Sequence, residues 1–150
     1  MFKLNKKVKY ALIALKHMRN KGSEQLTSVK EICDAYAIPF DPTARSLQLL
    51  AQHGILQAAQ GSRGGYQLLK NLDQVSLKEL NEIIVGPIKM ADCLAEEIHD
   101  CQCVTKCIVI SPLLHLHEKI QRFMAGISIG SLISDLPHPS EELIKKKVAV

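Results

Sequence analysis

The sequence has no Trp, and three Tyr with three Phe hold its aromatic share at 4%. Its core must therefore come from Leu, Ile, Val and Ala, which suits helices packed on helices better than a β-sandwich or barrel. No apolar run approaches the roughly 20 residues of a membrane span. The stretch from Tyr10 to Leu15 is too short for a signal-peptide core and is followed at once by Lys16, His17 and Arg19. A recognisable set of nucleophile, base and orienting group is also missing, so an enzyme is not expected. These absences predict a mainly α-helical, cytoplasmic protein with no membrane partner, and 150 residues leave room for one core and a small appendage.

What is present is unevenly charged. Residues 1–75 carry 11 Lys/Arg against 5 Asp/Glu, and residues 76–150 carry 8 against 10. A basic first half joined to a mildly acidic second half fits a nucleic-acid-binding module followed by a regulatory or dimerising one.

Val8, Ala11, Leu12, Leu15 and Met18 recur at three- and four-residue steps and predict an amphipathic helix from about Lys6 to Asn20, with Lys7, Lys9, Lys16 and Lys21 on its other face. Ser28, with Glu31 three residues on, reads as a capping box opening a second helix that turns Val29, Ile32, Cys33 and Tyr36 inward. Asp41 before Pro42 reads as cap and first helical residue of a third helix, closing at His53-Gly54. The two helices, joined by the short Ala37 to Phe40 turn, form a helix-turn-helix pattern. Ile55 to Gln60 and Tyr66 to Leu69 are strand candidates around the turn Gly61-Ser62-Arg63-Gly64-Gly65, a two-stranded wing whose Arg63 suits the negative potential of a minor groove.

Ser76 and Glu79 make a second capping box, with Val75 and Leu80 as a hydrophobic staple, for a fourth helix from Leu77 to about Val85. A longer helix follows, starting at Cys107 or at Ser111-Pro112 and ending near Ala125. Its apolar stripe of Leu113, Leu116, Ile120, Phe123 and, just beyond, Ile127 calls for a partner helix from a second copy of the chain. A short helix is expected near Ser128 to Leu136. The chain thus divides into a winged helix-turn-helix domain over 1–86, a cysteine-rich loop over 87–107, a dimerisation helix and closing helix over 108–136, and a mobile tail over 137–150.

Five cysteines in a reducing compartment are not expected to form structural disulfides. Cys33 reads as core. Cys93, Cys101, Cys103 and Cys107 fall within 15 residues among Asp92, Glu96, Glu97, Asp100 and Lys106, polar surroundings that suit ligands better than inert core thiols. Thiolates suit an iron-sulfur cluster or zinc, although the usual C-x2-C pairs of zinc sites are absent. A thiol switch on Cys101 and Cys103 is a third option, and the C-x-C ring would be strained as a disulfide.

Several motifs together make the chain resemble the Rrf-two superfamily of bacterial transcription regulators, the group of IscR, NsrR and RirA. They are Lys7-x-x-Tyr10-Ala11, Leu50-x-x-x-Gly54-Ile55-Leu56, Gly61-x-x-Gly64-Gly65-Tyr66-x-Leu68, the triad Cys93, Cys101 and Cys107, and Ile127-Ser128-Ile129-Gly130-x-Leu132. The resemblance implies a homodimer bound to a double-stranded DNA operator and controlled by an iron-sulfur cluster, [2Fe-2S] or [4Fe-4S], on the three cysteines. It places Ser28, Asp41, Thr43, Ala44, Arg45 and Gln48 at the DNA, with Arg45 as the candidate for bidentate guanine reading and Arg63 at the minor groove. Repression is the direction it implies. The seven-residue spacing of Cys93 and Cys101 looks more like that of the iron-responsive RirA group than the shorter IscR spacing. Lys9 and Ile110 stand where relatives carry a fourth ligand, leaving Cys103 or His99 as the substitute. The alternative is a zinc-stabilised or thiol-switch winged-helix regulator or adaptor without a cluster.

Overall fold

The computed structural model describes residues 4–61, 64–88 and 106–134. Helix α1 (Lys6–Lys21) buries Val8, Ala11, Leu15 and Met18 along one side, and the Asn5 side chain caps it by accepting from the Lys7 N–H at 2.9 Å. Helix α3 (Phe40–Gln52) packs on α1, and helix α2 (Val29–Tyr36) packs on α3, around Ile32, Leu47 and Leu50, all fully buried. Cys33 is buried in this layer, as the sequence suggested. Tyr36, by contrast, is half-exposed rather than inward, because α2 ends there and the ring stacks edge-on against His17.

Helix α3 begins two residues earlier than its Asp41-Pro42 signal suggests. Phe40 is its first residue, Pro39 precedes it as an extended cap without a side-chain hydrogen bond, and Pro42 occupies the third helical position. The first N–H groups of a helix have no intrahelical partner, so a proline anywhere in the first turn loses no hydrogen bond.

The wing is an antiparallel hairpin of β1 (Leu56–Ala59) and β2 (Gly65–Leu68), with Leu56 opposite Leu68 and Ala59 opposite Gly65. It is bolted to the start of α2 because Thr27 and Tyr66 exchange two backbone hydrogen bonds, each of 2.9 Å. Gly65 makes that approach possible: a Cβ there would stand 2.6 Å from the Thr27 carbonyl oxygen and 2.9 Å from its carbon.

After a 3-10 turn at Leu72–Gln74, helix α4 (Leu77–Ile84) buries Leu80 and Ile84, and Val75 sits fully buried just ahead of it. Helix α5 (Ile110–Ala125) repeats the pattern of α3, since Pro112 is again the third helical residue and Ser111 lies inside the helix rather than capping it. The chain then returns to α4: the Leu77 N–H donates to the Ile127 carbonyl at 2.8 Å and the Ile129 N–H to that of Val75 at 2.7 Å. The short helix α6 (Ile129–Leu132) inserts Ile129, with Ile133 after it, into the same core as α1, α3 and α4. The closing helix is therefore part of the winged-helix core, and α5 is the element that leaves it.

Candidate nucleic-acid interface and cysteine segment

Both capping boxes form by half. Ser28 Oγ accepts from the Glu31 N–H and Ser76 Oγ from the Glu79 N–H, each at 3.1 Å. The two glutamates turn elsewhere. Glu79 pairs with Lys70 at 3.0 Å, while Glu31 accepts from Lys21 at 2.7 and 2.8 Å and lies 3.0 Å from His17 Nε2. His17 Nδ1 in turn lies 3.2 Å from the Tyr36 hydroxyl, so a polar network ties the C-terminal half of α1 to α2. The Lys21 and His17 hydrogen bonds hold the Glu31 carboxyl below its ordinary pKa, outweighing its partial desolvation. The resemblance placed Ser28 at DNA; its hydroxyl is engaged as the α2 cap.

The outward face of α3 is narrower than the sequence list suggests. Thr43 is 0% exposed and its hydroxyl donates to the Pro39 carbonyl at 2.7 Å, so it points to the core and offers no atom to a base. Ser46, also buried, donates likewise to Pro42 at 2.7 Å. The helical period explains both: with Leu47 and Leu50 they form the inward face. Asp41, Arg45 and Gln48 are exposed and Ala44 is half-buried beside them. Arg45 Nη1 donates to Gln48 Oε1 at 3.0 Å, aligning two side chains suited to guanine and adenine edges. Phe40, expected in the turn, is the first residue of α3 and is 53% exposed there. A groove lined by Gln48, Gln52, Gln57 and Tyr66 separates α3 from the wing. The wing tip at Arg63 lies outside the described residues.

Of the four clustered cysteines, Cys107 alone is described; Cys93, Cys101 and Cys103, with His99, lie outside the described residues. Cys107 is a half-buried free thiol three residues before α5, and its carbonyl accepts from the Ile110 N–H at 3.5 Å. Among the described residues no three His, Cys, Asp or Glu side chains converge as a metal site. Beyond Cys107, α5 buries Met124 and leaves part of its predicted stripe open, with Leu116 44% and Phe123 70% exposed and Leu113, Ile120 and Ile127 half-buried. On the same helix His117 Nε2 lies 2.8 Å from the Gln121 amide nitrogen.

Comparison with known proteins gives this arrangement its context. The family model Rrf2, described as iron-dependent transcriptional regulator, matches residues 4–135. A protein of Aquifex aeolicus named as an HTH-type transcriptional regulator is 31% identical over 129 residues, 85% of this chain and 88% of its own. The HTH-type transcriptional regulator IscR of Aliivibrio salmonicida is 24% identical over 133 residues, 89% of this chain and 78% of its own. Among solved structures, CymR of Bacillus subtilis, titled its global cysteine regulator, superposes with a TM-score of 0.66 at 19% identity, over 89% of this chain and 98% of its own. IscR of T. potens superposes with a TM-score of 0.67 at 14% identity, over 95% and 96%. The fold is thus that of the winged-helix regulators, and no described helix is long and apolar enough to cross a membrane. The extent of the family match and the 31% identical relative together establish that the chain belongs to the Rrf2 family of DNA-binding transcriptional regulators.

Proposed function

We propose that this regulator binds its operator as a homodimer and that an iron-sulfur cluster on Cys93, Cys101 and Cys107 sets its affinity, with Cys103 as the fourth ligand. In this reading α3 enters the major groove, Asp41, Ala44, Arg45 and Gln48 face the bases, and Arg63 reaches the minor groove. The carrying observation is the seat of Cys107: a half-buried free thiol at the foot of a helix that leaves the apolar Leu116 and Phe123 exposed. A ligand held there acts on the element suited to pair two copies, so the state of the cysteine segment and the spacing of the two winged domains become one equilibrium. The donor chemistry fits, since thiolates from one short segment suit a soft metal centre. When bound, the cluster supplies a centre that reacts with oxidants and nitric oxide. The protein's part is to differ in its contacts between the two dimer states, because ligation equal in both shifts nothing.

Repression is the proposed outcome of operator binding. The test is a visible absorption spectrum with iron, sulfide and zinc analysis on protein purified without oxygen. A brown protein with iron and sulfide supports the reading. A colourless one with stoichiometric zinc assigns the cysteines to a structural metal, and one with neither metal assigns them to thiol chemistry.

A further inference from the structure

The leading turn of α3 has an unusual makeup for a helix that meets a polyanion. Its first three residues are Phe40, Asp41 and Pro42, so it carries no cation, one carboxylate and only two backbone N–H groups. It is poorly equipped to hold a phosphate, which leaves its side chains to meet bases. Phe40 is 53% exposed and, among the described residues, joins no ring stack; the one ring pair there is His17 with Tyr36. Singly exposed apolar side chains are ordinary on protein surfaces. This one stands at the end of the recognition helix whose N-terminal residues contact base edges in helix-turn-helix complexes. Pro39, extended and fixed in φ, holds it there, and the Thr43 hydroxyl closes back on the Pro39 carbonyl at 2.7 Å, bracing the turn beneath the ring.

Along the helix Phe40, Ala44 and Gln48 follow at four-residue steps and form one ridge. An apolar group, a methyl and an amide in that order present no partner for guanine or cytosine at the first two positions. The chemistry that matches an exposed ring and a methyl in the major groove is the 5-methyl group of thymine. We infer that Phe40 is a specificity-determining residue that reads a thymine methyl in each operator half-site. The inference rests on the proposed docking of α3 in the major groove and adds to it a residue and a base.

The test uses the full chain, purified and assayed without oxygen. Wild-type protein selects its preferred duplex from random DNA, and each thymine of the enriched sequence is then replaced singly by deoxyuridine, which removes only the methyl group. Dissociation constants are measured at fixed salt for wild type, Phe40→Ala and Phe40→Leu, after circular dichroism shows that each is folded. One thymine per half-site should cost wild type about four-fold on loss of its methyl, the worth of one buried methyl group. Phe40→Ala should bind the parent duplex correspondingly more weakly and be indifferent to deoxyuridine at that position. Phe40→Leu, still apolar, should keep part of the sensitivity. If wild type enriches a sequence but Phe40→Ala retains the same methyl sensitivity, or no thymine methyl matters, the inference is overturned while the docking stands. If wild type enriches no sequence at all, the docking reading fails with it.

Discussion

Replacing Gly65 with Ala adds one methyl group where the wing meets the start of α2. The new Cβ would lie 2.6 Å from the Thr27 carbonyl oxygen, and because that neighbour is backbone the two strands must separate. Separation breaks the paired Thr27 and Tyr66 hydrogen bonds of 2.9 Å, at a residue that is fully buried. Each such bond contributes about 1 kcal/mol net, and a buried group left unpaired costs about 1–3 kcal/mol. The expected loss is about 2–4 kcal/mol, and at roughly 2–4 °C per kcal/mol for a chain of this size the midpoint falls by about 5–15 °C. The assay is thermal melting by far-ultraviolet circular dichroism at equal protein concentrations, since the proposed dimer would make the midpoint concentration-dependent. Gly126→Ala is the companion variant: its Cβ would meet only ordinary contacts at 3.6 Å at a φ of −79°, so its midpoint should move little or rise. A Gly65→Ala midpoint within about 2 °C of wild type would refute the close-approach reasoning.

Glu31 stabilises the α1–α2 contact through its lowered pKa, so that contribution is complete above its ordinary 4.5 and is lost as the pH falls through the lower folded value. Glu31→Gln should therefore flatten the fall of stability in acid, seen in melts from neutral pH downward; the effect is modest because the carboxylate is 36% exposed and screened. Ala37 closes α2 in the left-handed region at φ 49°, which costs an L-residue about 1–2 kcal/mol. Ala37→Gly should then gain up to about 1 kcal/mol once glycine's unfolded-state freedom is subtracted, read by urea unfolding; a clear loss would contradict it. Leu116→Lys together with Phe123→Lys puts charge on the open stripe of α5 and should yield a folded monomer by light scattering; a dimer that persists counts against that face as the seam.

The periodic apolar positions carried most of the fold: Val8, Ala11, Leu15 and Met18, Leu47 and Leu50, and Val75 with Leu80 are buried where their spacing put them, and Leu12 packs half-buried against the same core. Boundaries set by proline were less legible. At both Pro42 and Pro112 the helix starts two residues before the proline, because the first turn needs no N–H there and the cap signal is equally consistent with several starts. That shift hid Phe40, which the Asp41-Pro42 signal places in the turn ahead of the helix. It also hid the inward direction of Thr43, a polar residue whose hydroxyl is satisfied by its own helix. The capping boxes were half legible: the serine caps depend on local spacing alone, whereas Glu31 and Glu79 go to Lys21 and Lys70, partners that only the fold brings near. Likewise Gly65 shows in sequence only as part of a turn, while its structural need comes from Thr27, far away in the chain. The clustering of four cysteines among polar residues is plain in the sequence, and of the four the structure adds the seat of Cys107.

The most direct test of the central claim compares the operator affinity of anaerobically reconstituted protein with that of the same protein stripped of iron, at one fixed salt concentration. The account predicts a brown, iron- and sulfide-containing form whose affinity differs at least roughly ten-fold from that of the stripped form, a difference of about 1.4 kcal/mol, and a Cys107→Ser variant that neither colours nor switches. Equal affinities for the two forms, or a colourless wild-type protein after reconstitution, would contradict it.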